Sequence, residues 1–496
     1  MISIAARMES NGQREKIHVS QQTADLLIEA GKHHWVTPRE DKIVAKGKGE
    51  LQTYWVSTKL ASSAGSSSSG DRPESVSSMA APEDHFASGS SQDLKNKMEK
   101  NKHKDSASKR LINWNVDTLQ TLLKKVVAMR TELDQAAFEE VARKVERLQL
   151  DTSDGETPFE ELKDGISFPR EATVYKRDPA TVSLDTRVTS QLCDYVATIA
   201  SMYGPHSFHS FAHATHSGQS VAKLLSRIVT AKSIDYDHMS YKPECFATQH
   251  GISFGITSDP LAQFACAFTA LIHDVDHPGV SNRHLVLEKA DVADSYKNKC
   301  VSEQNSLDVA WTLLMEPQYR DLRASIYTTQ EELNRFRNLV VSTMFATDVR
   351  DNELQAWRIN RWEEAFSRDC NNVSPTSSLD GGKKALLILE HLVQASCLAH
   401  MMQHWQVYVK WNEKLFHEAN KAYRAGGRSN DPSTTWYQEE LEFFDSFVIP
   451  LAERLRECGV FGAAGDEYLT YALANRTEWE AKGEIEIRNY IGRAKS

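Results

Sequence analysis

The sequence lacks the features that mark membrane, secreted or disulfide-rich proteins. No apolar run reaches the roughly 20 residues that span a bilayer, and the longest, "LAQFACAFTALI" at 261–272, is typical of a buried helix. The N-terminus has no basic segment followed by an apolar run, which is the pattern of a signal peptide. The seven cysteines form no CxxC pair, which argues against a disulfide framework and favours a reducing compartment. We therefore expect a cytoplasmic chain without a membrane segment.

Acidic residues outnumber basic ones, and strand patterns are scarce. The 496-residue chain has a formal net charge of −10, with 25% charged and 40% hydrophobic residues. This balance gives no reason to expect nucleic acid as a main partner. From about residue 111, convincing alternating strands are absent, and apolar residues recur every three or four positions. We predict a mainly all-α fold, with a compact multi-helix domain at 165–496.

The first 57 residues have a different pattern. "EKIHVSQQTADLLIEAG" predicts a short strand, an N-cap at Ser20 and an amphipathic helix that ends at Gly31. "DKIVAKGKGELQTYWVS" predicts a β-hairpin that turns within "KGKG". One strand, one helix and one hairpin bury too little surface to form a core alone, so residues 1–57 are interpreted as a small partial α/β fragment.

Residues 58–110 combine two stretches of biased composition. "ASSAGSSSSGDRPESVSSMAAPED" is rich in Ser, Gly and Pro, and "KNKMEKNKHKDSASKR" is a basic run. Both predict a disordered, solvated linker, and contact of the basic run with acidic lipid or nucleotide is the less favoured alternative. Residues 111–164 are then a helical connector, either an amphipathic connecting helix or half of a coiled coil.

Three segments concentrate the residues that could carry chemistry. They are "HSFHSFAHATHSGQSVAKLL", "ALIHDVDHPGVSNR" and "EHLVQASCLAHMMQHW". Their candidate side chains are His206, His209, His213 and His216, then His273, Asp274, Asp276 and His277, and finally Cys397, His400 and His404. A lone histidine more often caps a helix or bonds a buried carbonyl. The cluster instead favours a metal site, because one metal takes an imidazole and a carboxylate while a second metal shares the carboxylate.

"HDVDHPGVSN" at 273–282 closely resembles the class I 3′,5′-cyclic nucleotide phosphodiesterase family. The likeness extends over about 165–485, with "ATDV" at 346–349 and "FFDSFVIPL" at 443–451 in the expected order. It implies an all-helical catalytic domain that opens 3′,5′-cyclic nucleotides to 5′-monophosphates. It also implies two divalent metals, zinc at a tight site and magnesium or manganese at the second.

The resemblance assigns roles to individual positions. "FHSFAHATH" resembles the family's Tyr-His-Asn-x-x-His-Ala, which makes His209 the general acid that protonates the leaving O3′. His277 and Glu303 would orient His209 and the attacking water. The tight metal would be held by His213, His273, Asp274 and the position of Cys397, with Asp274 bridging both metals.

Three positions depart from the family pattern. Cys397 stands where the family has an aspartate ligand; a thiolate suits zinc but suits magnesium poorly, and an inert buried thiol is the alternative. Ser210 replaces the asparagine after the acid histidine and reaches less far. Glu440 replaces the purine-reading glutamine, three residues before the aromatic clamp Phe443. Ionised glutamate could accept two hydrogens from guanine N1 and N2, which favours cyclic GMP over cyclic AMP, unless Glu440 points to solvent.

The N-terminal stretches "AARMESNGQREKIHVSQQTADLL" and "VAKGKGELQTYWV" resemble the C-terminal part of a class III nucleotidyl cyclase, as in receptor guanylyl cyclases. Arg7 matches that family's transition-state arginine, and Lys46 or Lys48 its phosphate contact. The half that carries the metal-binding aspartates is missing from residues 1–57, so we expect no cyclase activity from them. The fragment is either a relic or the end of the cytosolic part of a longer membrane-bound receptor cyclase, and we favour the second.

The leading hypothesis for the whole chain is therefore a metal-dependent phosphodiesterase, which could form a homodimer. A catalytically degenerate domain that binds cyclic nucleotide and regulates a partner is the main alternative, because Cys397, Ser210 and Glu440 all depart from the family. A different metal phosphohydrolase that acts on nucleotides is a third, and "HDVDHPGVSN" argues against it.

Overall fold

The computed structural model forms two compact units, Met1–Ser88 and Gly89–Ser496. The structure describes residues 17–29, 33–40, 43–45, 49–56, 91–150, 156–162, 166–169, 171, 175–228, 251–366 and 378–495. Arg7, Lys46 and Lys48 lie outside the described residues, so their proposed match to a cyclase stays a prediction. No helix in the described ranges combines the length and the apolar character needed to cross a membrane.

The N-terminal unit is a small α/β fragment, as its sequence pattern predicts. Its elements are β1 (Ile17–Ser20), α1 (Gln21–Glu29), β2 (Val36–Pro38), β3 (Ile43–Ala45), β4 (Gly49–Leu51) and β5 (Thr53–Val56). β5 pairs antiparallel with both β1 and β2, so the sheet order is β1-β5-β2, and β3 pairs with β4 as a separate hairpin. The Ser20 hydroxyl accepts a hydrogen bond from the Thr23 backbone N–H at 3.3 Å, which confirms the predicted N-cap.

The larger unit is helical, and its described residues contain no strand. Its helices are α2 (Ser91–Ala128), α3 (Gln135–Val145), α4 (Thr186–Met202), α5 (Phe211–Arg227), α6 (Pro260–Ile272), α7 (Asn282–Leu287), α8 (Asp291–Ser295), α9 (Val301–Met315), α10 (Arg320–Ile326), α11 (Gln330–Phe345), α12 (Asn352–Phe366), α13 (Ser378–Cys397), α14 (Trp405–Arg424), α15 (Pro432–Phe443), α16 (Ile449–Glu457) and α17 (Ala463–Lys495). The mainly all-α fold is therefore confirmed.

The start of α2 differs from the sequence prediction. The helix begins at Ser91, although the basic run up to residue 110 is predicted to be part of a disordered linker. The run contains neither Pro nor Gly, and its Lys, Glu, Met and Ala residues are good helix formers, so nothing in it interrupts a helix that continues into 111–128. The rest of the predicted linker, 58–90, lies outside the described residues.

The second half of α2 packs into the main core. Leu119, Leu123 and Val126 are buried in the same hydrophobic cluster as α4, α6 and α11. The Asn115 side-chain amide donates to the Thr215 hydroxyl at 2.9 Å, which ties α2 to α5. The predicted connector is thus part of the compact helical unit rather than half of a free coiled coil.

Helix α6 leads directly into the segment that begins at His273 and Asp274. Every residue from Pro260 to Ile272 is buried, and the Asp259 side chain caps the helix by accepting from the Ala262 backbone N–H at 3.1 Å. The helix ends directly before His273, and the chain then turns through Asp276 and Gly279, which have φ angles of 57° and 77°. Helices α5 and α13 pack beside α6. The start of α5 and the ends of α6 and α13 carry the three candidate segments.

A buried ion pair between Arg337 and Glu161 supplies a test of the fold. The guanidinium donates to the two carboxylate oxygens at 2.7 and 2.6 Å, and both side chains are buried. Substitution Glu161→Ala leaves a buried cation without its bidentate partner, and we expect the free energy of unfolding to fall by about 3 kcal/mol or more. Denaturant unfolding followed by circular dichroism measures this change.

The matched control is Asp445→Ala, which breaks the more exposed pair between Asp445 and Arg476. Its cost should stay under about 1 kcal/mol, because water solvates both charges once they separate. Equal costs for the two substitutions would contradict a stabilising role for the buried geometry.

Candidate active site

The centre of the site is a group of two imidazoles and one carboxylate. His213 lies in the first turn of α5, His273 follows α6, and Asp274 is its neighbour. The Asp274 Oδ2 atom lies 3.1 Å from His273 Nε2 and 3.8 Å from His213 Nε2. One ligand atom from each residue lies within 4.8 Å of the others. Helix ends that are distant in sequence thus bring three predicted metal ligands to one point.

The polar atoms of this group fit a bound cation. His273 Nδ1 donates to the Ala270 carbonyl at 3.0 Å, so its Nε2 is the ring nitrogen that faces the group and can bind a metal once deprotonated. His273 Nε2 and Asp274 Oδ2 are buried without a hydrogen-bond partner, and His213 Nε2 lies 3.8 Å from Asp274 Oδ2. Buried polar atoms without partners are costly, and a divalent cation would satisfy them. Two nitrogens and one carboxylate oxygen form a donor set that suits zinc.

Cys397, the predicted fourth ligand, is the last residue of α13 and is buried beside His273. Burial lowers the pKa of His273, but Asp274 and then Cys397 outweigh that effect and raise it well above its usual value. Cys397 nevertheless lies outside the group of ligand atoms within 4.8 Å of one another. The structure therefore brings three of the four predicted ligands together and places the fourth next to them.

His209 is held by a glutamate that sequence reasoning missed. Its Nδ1 forms a short hydrogen bond with Glu418 Oε1. Glu418 Oε2 accepts from the backbone N–H groups of Phe208 and His209 at 2.8 and 3.2 Å. Burial lowers the pKa of His209, whereas Asp274 and Glu418 raise it, and the net shift is upward. The carboxylate keeps a proton on Nδ1, which leaves Nε2 as the atom that can donate outward.

His277 stacks on His209. The ring centroids are 3.8 Å apart and the planes are inclined by 17°. The Gly279 backbone N–H donates to His277 Nδ1 at 3.0 Å. Burial and the neighbouring His209 lower the pKa of His277 to about 3, so its imidazole is neutral at physiological pH. A neutral ring thus lies flat against a ring that can carry a proton, which restricts the orientation of His209.

Glu303 belongs to a separate carboxylate pair. Asn282 donates from its amide nitrogen to Glu303 at 2.8 Å and to Asp348 at 3.2 Å. Burial, followed by the charge of Asp348, raises the pKa of Glu303 to about 8. No hydrogen bond of the described residues joins Glu303 to His209, so its predicted orienting role would act through water or through its charge near Asp274.

The predicted base-reading residues lie on and after α15. Glu440 is buried and accepts from the Tyr408 hydroxyl at 2.8 Å, so it does not point to solvent. The half-buried rings of Phe443 and Phe447 lie parallel, with centroids 5.4 Å apart. Between them begins a π-helical turn, Phe444–Val448, a local departure from the α-helix that often occurs at functional sites.

Several other candidate side chains are engaged elsewhere. The Ser210 hydroxyl donates to the Phe208 carbonyl at 3.1 Å rather than capping α5. His216 bonds Gln403 at 3.2 Å, and His404 bonds the Tyr471 hydroxyl at 3.0 Å. Asp276 accepts from Asn305 at 3.2 Å. His206 is not among the grouped ligand atoms, and His400 is buried with its ring centroid 6.1 Å from that of His213.

The sequence contains only a weak indication that Glu418 belongs to the site. Trp411, Leu415 and Glu418 are spaced four and three positions apart along α14, so they share one face of the helix. That face is apolar, and Trp411 packs with its ring centroid 5.4 Å from that of His213. A carboxylate at an apolar position of a buried face predicts a polar partner, although the period cannot identify His209 as that partner.

Comparisons with known proteins identify the families that the chain resembles. The family model of 3′5′-cyclic nucleotide phosphodiesterases matches residues 208–459, and that of adenylate and guanylate cyclase catalytic domains matches residues 1–58. The chain is 24% identical over 276 residues to a probable 3′,5′-cyclic-AMP phosphodiesterase, pde-4, of Caenorhabditis elegans, covering 53% of this chain and 36% of that protein. It is 20% identical over 330 residues to the cGMP-specific 3′,5′-cGMP phosphodiesterase 3 of Dictyostelium discoideum, covering 65% and 61%.

Among solved structures, the phosphodiesterase domain of the Salpingoeca rosetta rhodopsin phosphodiesterase is similar. It matches with a TM-score of 0.47 and 18% identity, over 61% of this chain and 83% of that one. The chain spans less than two thirds of the length of the curated relatives it matches here.

Proposed function

Because the chain belongs to the 3′5′-cyclic nucleotide phosphodiesterase family, we propose that it hydrolyses 3′,5′-cyclic nucleotides to 5′-monophosphates in cyclic nucleotide signalling. One observation carries the proposal: ligand atoms of His213, His273 and Asp274 converge beside a histidine that Glu418 holds for proton donation. A metal centre next to a proton donor is what phosphodiester hydrolysis requires.

We assign the tight site to zinc, held by His213, His273 and Asp274 with Cys397 as the fourth ligand. The second divalent ion, magnesium or manganese, would share Asp274. Bound metals lower the pKa of water and neutralise charge that develops on the phosphate. The thiol of Cys397 favours zinc over magnesium, because soft thiolates select thiophilic metals.

The chain's own residues handle the leaving group. Water forms the new bond to phosphorus and releases a proton, the P–O3′ bond breaks, and His209 Nε2 supplies the proton that O3′ gains; the proton released by water then replaces the one that His209 gave up. Glu418 holds His209 in the orientation for this transfer and stabilises its protonated form. His277 fixes the plane of the His209 ring by stacking.

The experiment that tests this function is incubation of the purified full chain with cyclic AMP or cyclic GMP, zinc and magnesium. Chromatography follows the appearance of 5′-monophosphate, and His213→Ala serves as the inactive control. Absence of 5′-monophosphate from the unmodified chain would contradict hydrolysis. It would support the second candidate, a domain that binds cyclic nucleotide and regulates a partner. Cys397 lies outside the group formed by the ligand atoms of His213, His273 and Asp274, and this observation favours the second candidate.

We further propose a preference for cyclic GMP, which Glu440 confers. An ionised carboxylate accepts hydrogens from guanine N1 and N2 but offers no donor to adenine N1. Substitution Glu440→Gln supplies both a donor and an acceptor. We expect it to lower the ratio of kcat/KM for cyclic GMP to that for cyclic AMP by about 10- to 100-fold, because an unmatched polar group in a buried site is costly. Initial rates with both nucleotides measure this ratio.

The control for this prediction is Glu442→Gln, which changes an exposed glutamate two positions away. It should leave the ratio unchanged. An unchanged ratio in Glu440→Gln as well would remove Glu440 from base recognition.

We expect no cyclase activity from residues 1–57. Their origin in a longer receptor cyclase, a cytoplasmic location and a homodimer stay predictions.

A further inference from the structure

A directional chain of hydrogen bonds ends on Glu440. The Trp436 indole N–H donates to Asn412 Oδ1 at 3.1 Å. The Asn412 amide nitrogen lies 3.5 Å from the Tyr408 hydroxyl, and that hydroxyl lies 2.8 Å from Glu440 Oε2. All four side chains are buried, so water does not compete for these groups.

The first member determines the direction of the whole chain. An indole nitrogen can only donate, so Asn412 must turn its oxygen toward Trp436 and its amide N–H groups toward Tyr408. The Tyr408 oxygen then receives a hydrogen bond, and its own proton points to Glu440. Burial, followed by the nearby Glu440, raises the pKa of Tyr408 well above its usual value, so the tyrosine keeps that proton. Glu440 Oε2 is therefore an acceptor, and any proton that Glu440 takes up belongs on Oε1.

The surroundings of Glu440 keep both of its protonation states accessible. Burial is the largest effect and raises the pKa of the carboxyl to about 7, while the hydrogen bond from Tyr408 and the charge of Arg350 lower it. Glu439 on the same helix raises it, and Tyr490 from α17 also faces this group.

Helix α14 links Glu440 to the catalytic residues. It carries Tyr408 and Asn412 near its start and Glu418, which holds His209, ten positions after Tyr408. The separation between Tyr408 and Glu418 along the axis is about 15 Å. A single rigid helix thus supports the candidate base reader and the proton donor.

We propose that Glu440 reads the nucleobase in two states, so that its protonation decides which cyclic nucleotide the site prefers. This inference rests on the proposed function and deepens it. Ionised Glu440 accepts from guanine N1–H and N2–H. Protonated Glu440 donates from Oε1 to adenine N1 while Oε2 accepts from the adenine 6-amino group, as a glutamine would. The hydrogen bonds that start at Trp436 make Oε1 the oxygen whose protonation changes.

The test is the ratio of kcat/KM for cyclic AMP to that for cyclic GMP, measured on the full chain with zinc and magnesium between about pH 6 and pH 8. The protonated fraction of Glu440 falls from about nine tenths to about one tenth across this window. We expect the ratio to fall at least about tenfold as pH rises, with a midpoint near 7. Titration of His209 or of metal ligands affects both substrates and cancels in the ratio. A ratio that does not change with pH would overturn the inference.

Two substitutions identify the residues responsible. Glu440→Gln should make the ratio independent of pH, because glutamine does not titrate in this range. Tyr408→Phe removes a donor to the ionised carboxylate, so the pH dependence should persist with its midpoint raised by about one pH unit. A midpoint in Tyr408→Phe that stays in place or moves down would contradict the hydrogen-bond chain.

Nucleotide binding tests base recognition by Glu440 independently of hydrolysis. If the chain hydrolyses neither nucleotide, the ratio of the two dissociation constants is measured by calorimetry over the same pH window. A ratio that shifts at least about tenfold toward cyclic AMP at low pH would uphold the inference while the hydrolytic function fails. A constant ratio, or no binding of either nucleotide, would overturn it.

Discussion

We expect substitution His209→Gln to lower kcat for cyclic nucleotide hydrolysis by about 10²- to 10⁴-fold and to change KM little. Glutamine keeps the size and polarity of the side chain but cannot hold a transferable proton near neutral pH. The ribose O3′ is a poor leaving group as an alkoxide, so the loss falls on the step in which the P–O3′ bond breaks. Steady-state kinetics of the full chain with cyclic GMP and cyclic AMP measure it.

A phosphodiester with a nitrophenol leaving group is the matched substrate control. Its leaving group departs without a proton, so His209→Gln should retain most of its activity on this substrate. Glu418→Gln should lower kcat on cyclic nucleotides by a smaller factor, about 10- to 100-fold, because it loosens His209 without removing it. Equal losses on both substrates would assign His209 a role in positioning or folding rather than in proton donation.

We expect removal of metal by a chelator to abolish hydrolysis and zinc together with magnesium to restore it. Without metal, His273 Nε2 and Asp274 Oδ2 are buried atoms with no hydrogen-bond partner. Rebinding of zinc should therefore also raise the melting temperature of the full chain, since zinc binds the folded site and scarcely binds the unfolded chain. Activity and thermal unfolding are measured on the same preparations.

Cobalt substitution tests whether Cys397 joins this site. A thiolate ligand gives cobalt(II) an intense sulfur-to-metal charge-transfer absorption, which the unmodified chain should show and Cys397→Asp should lose. Cys193→Ser, a change at an exposed cysteine, should leave the absorption intact. Hydrolysis by the unmodified chain would mean that sulfur serves as a working ligand. No activity in the unmodified chain together with activity in Cys397→Asp would mean that the protein has lost catalysis through the cysteine at this position. Nucleotide binding would then become the function to study.

Local residue patterns predict most of the secondary structure of this protein. The three- and four-residue spacing of apolar side chains predicted the helices, and the alternation after Gly49 and before Lys46 predicted the N-terminal hairpin. Ser20 predicted a helix start because capping depends on residues only three positions apart. His273 and Asp274 were recognisable because their motif is continuous, and His213 because it lies four positions after His209. The predicted linker through residue 110 differs from the structure, where the helix begins at Ser91. The basic run has a biased composition but contains no residue that interrupts a helix.

Contacts between groups that are distant in sequence depend on how the helices pack. Glu418 lies 209 positions from His209, and no periodicity links residues so far apart. The exclusion of Cys397 from the tighter ligand group depends on how the end of α13 packs against α6. Glu440 Oε2 is fixed as an acceptor because Trp436, Asn412 and Tyr408 are buried together across two helices. Burial and long-range contact shift the pKa values of His209, Glu418 and Glu440, and both arise from packing rather than from any local pattern of residues.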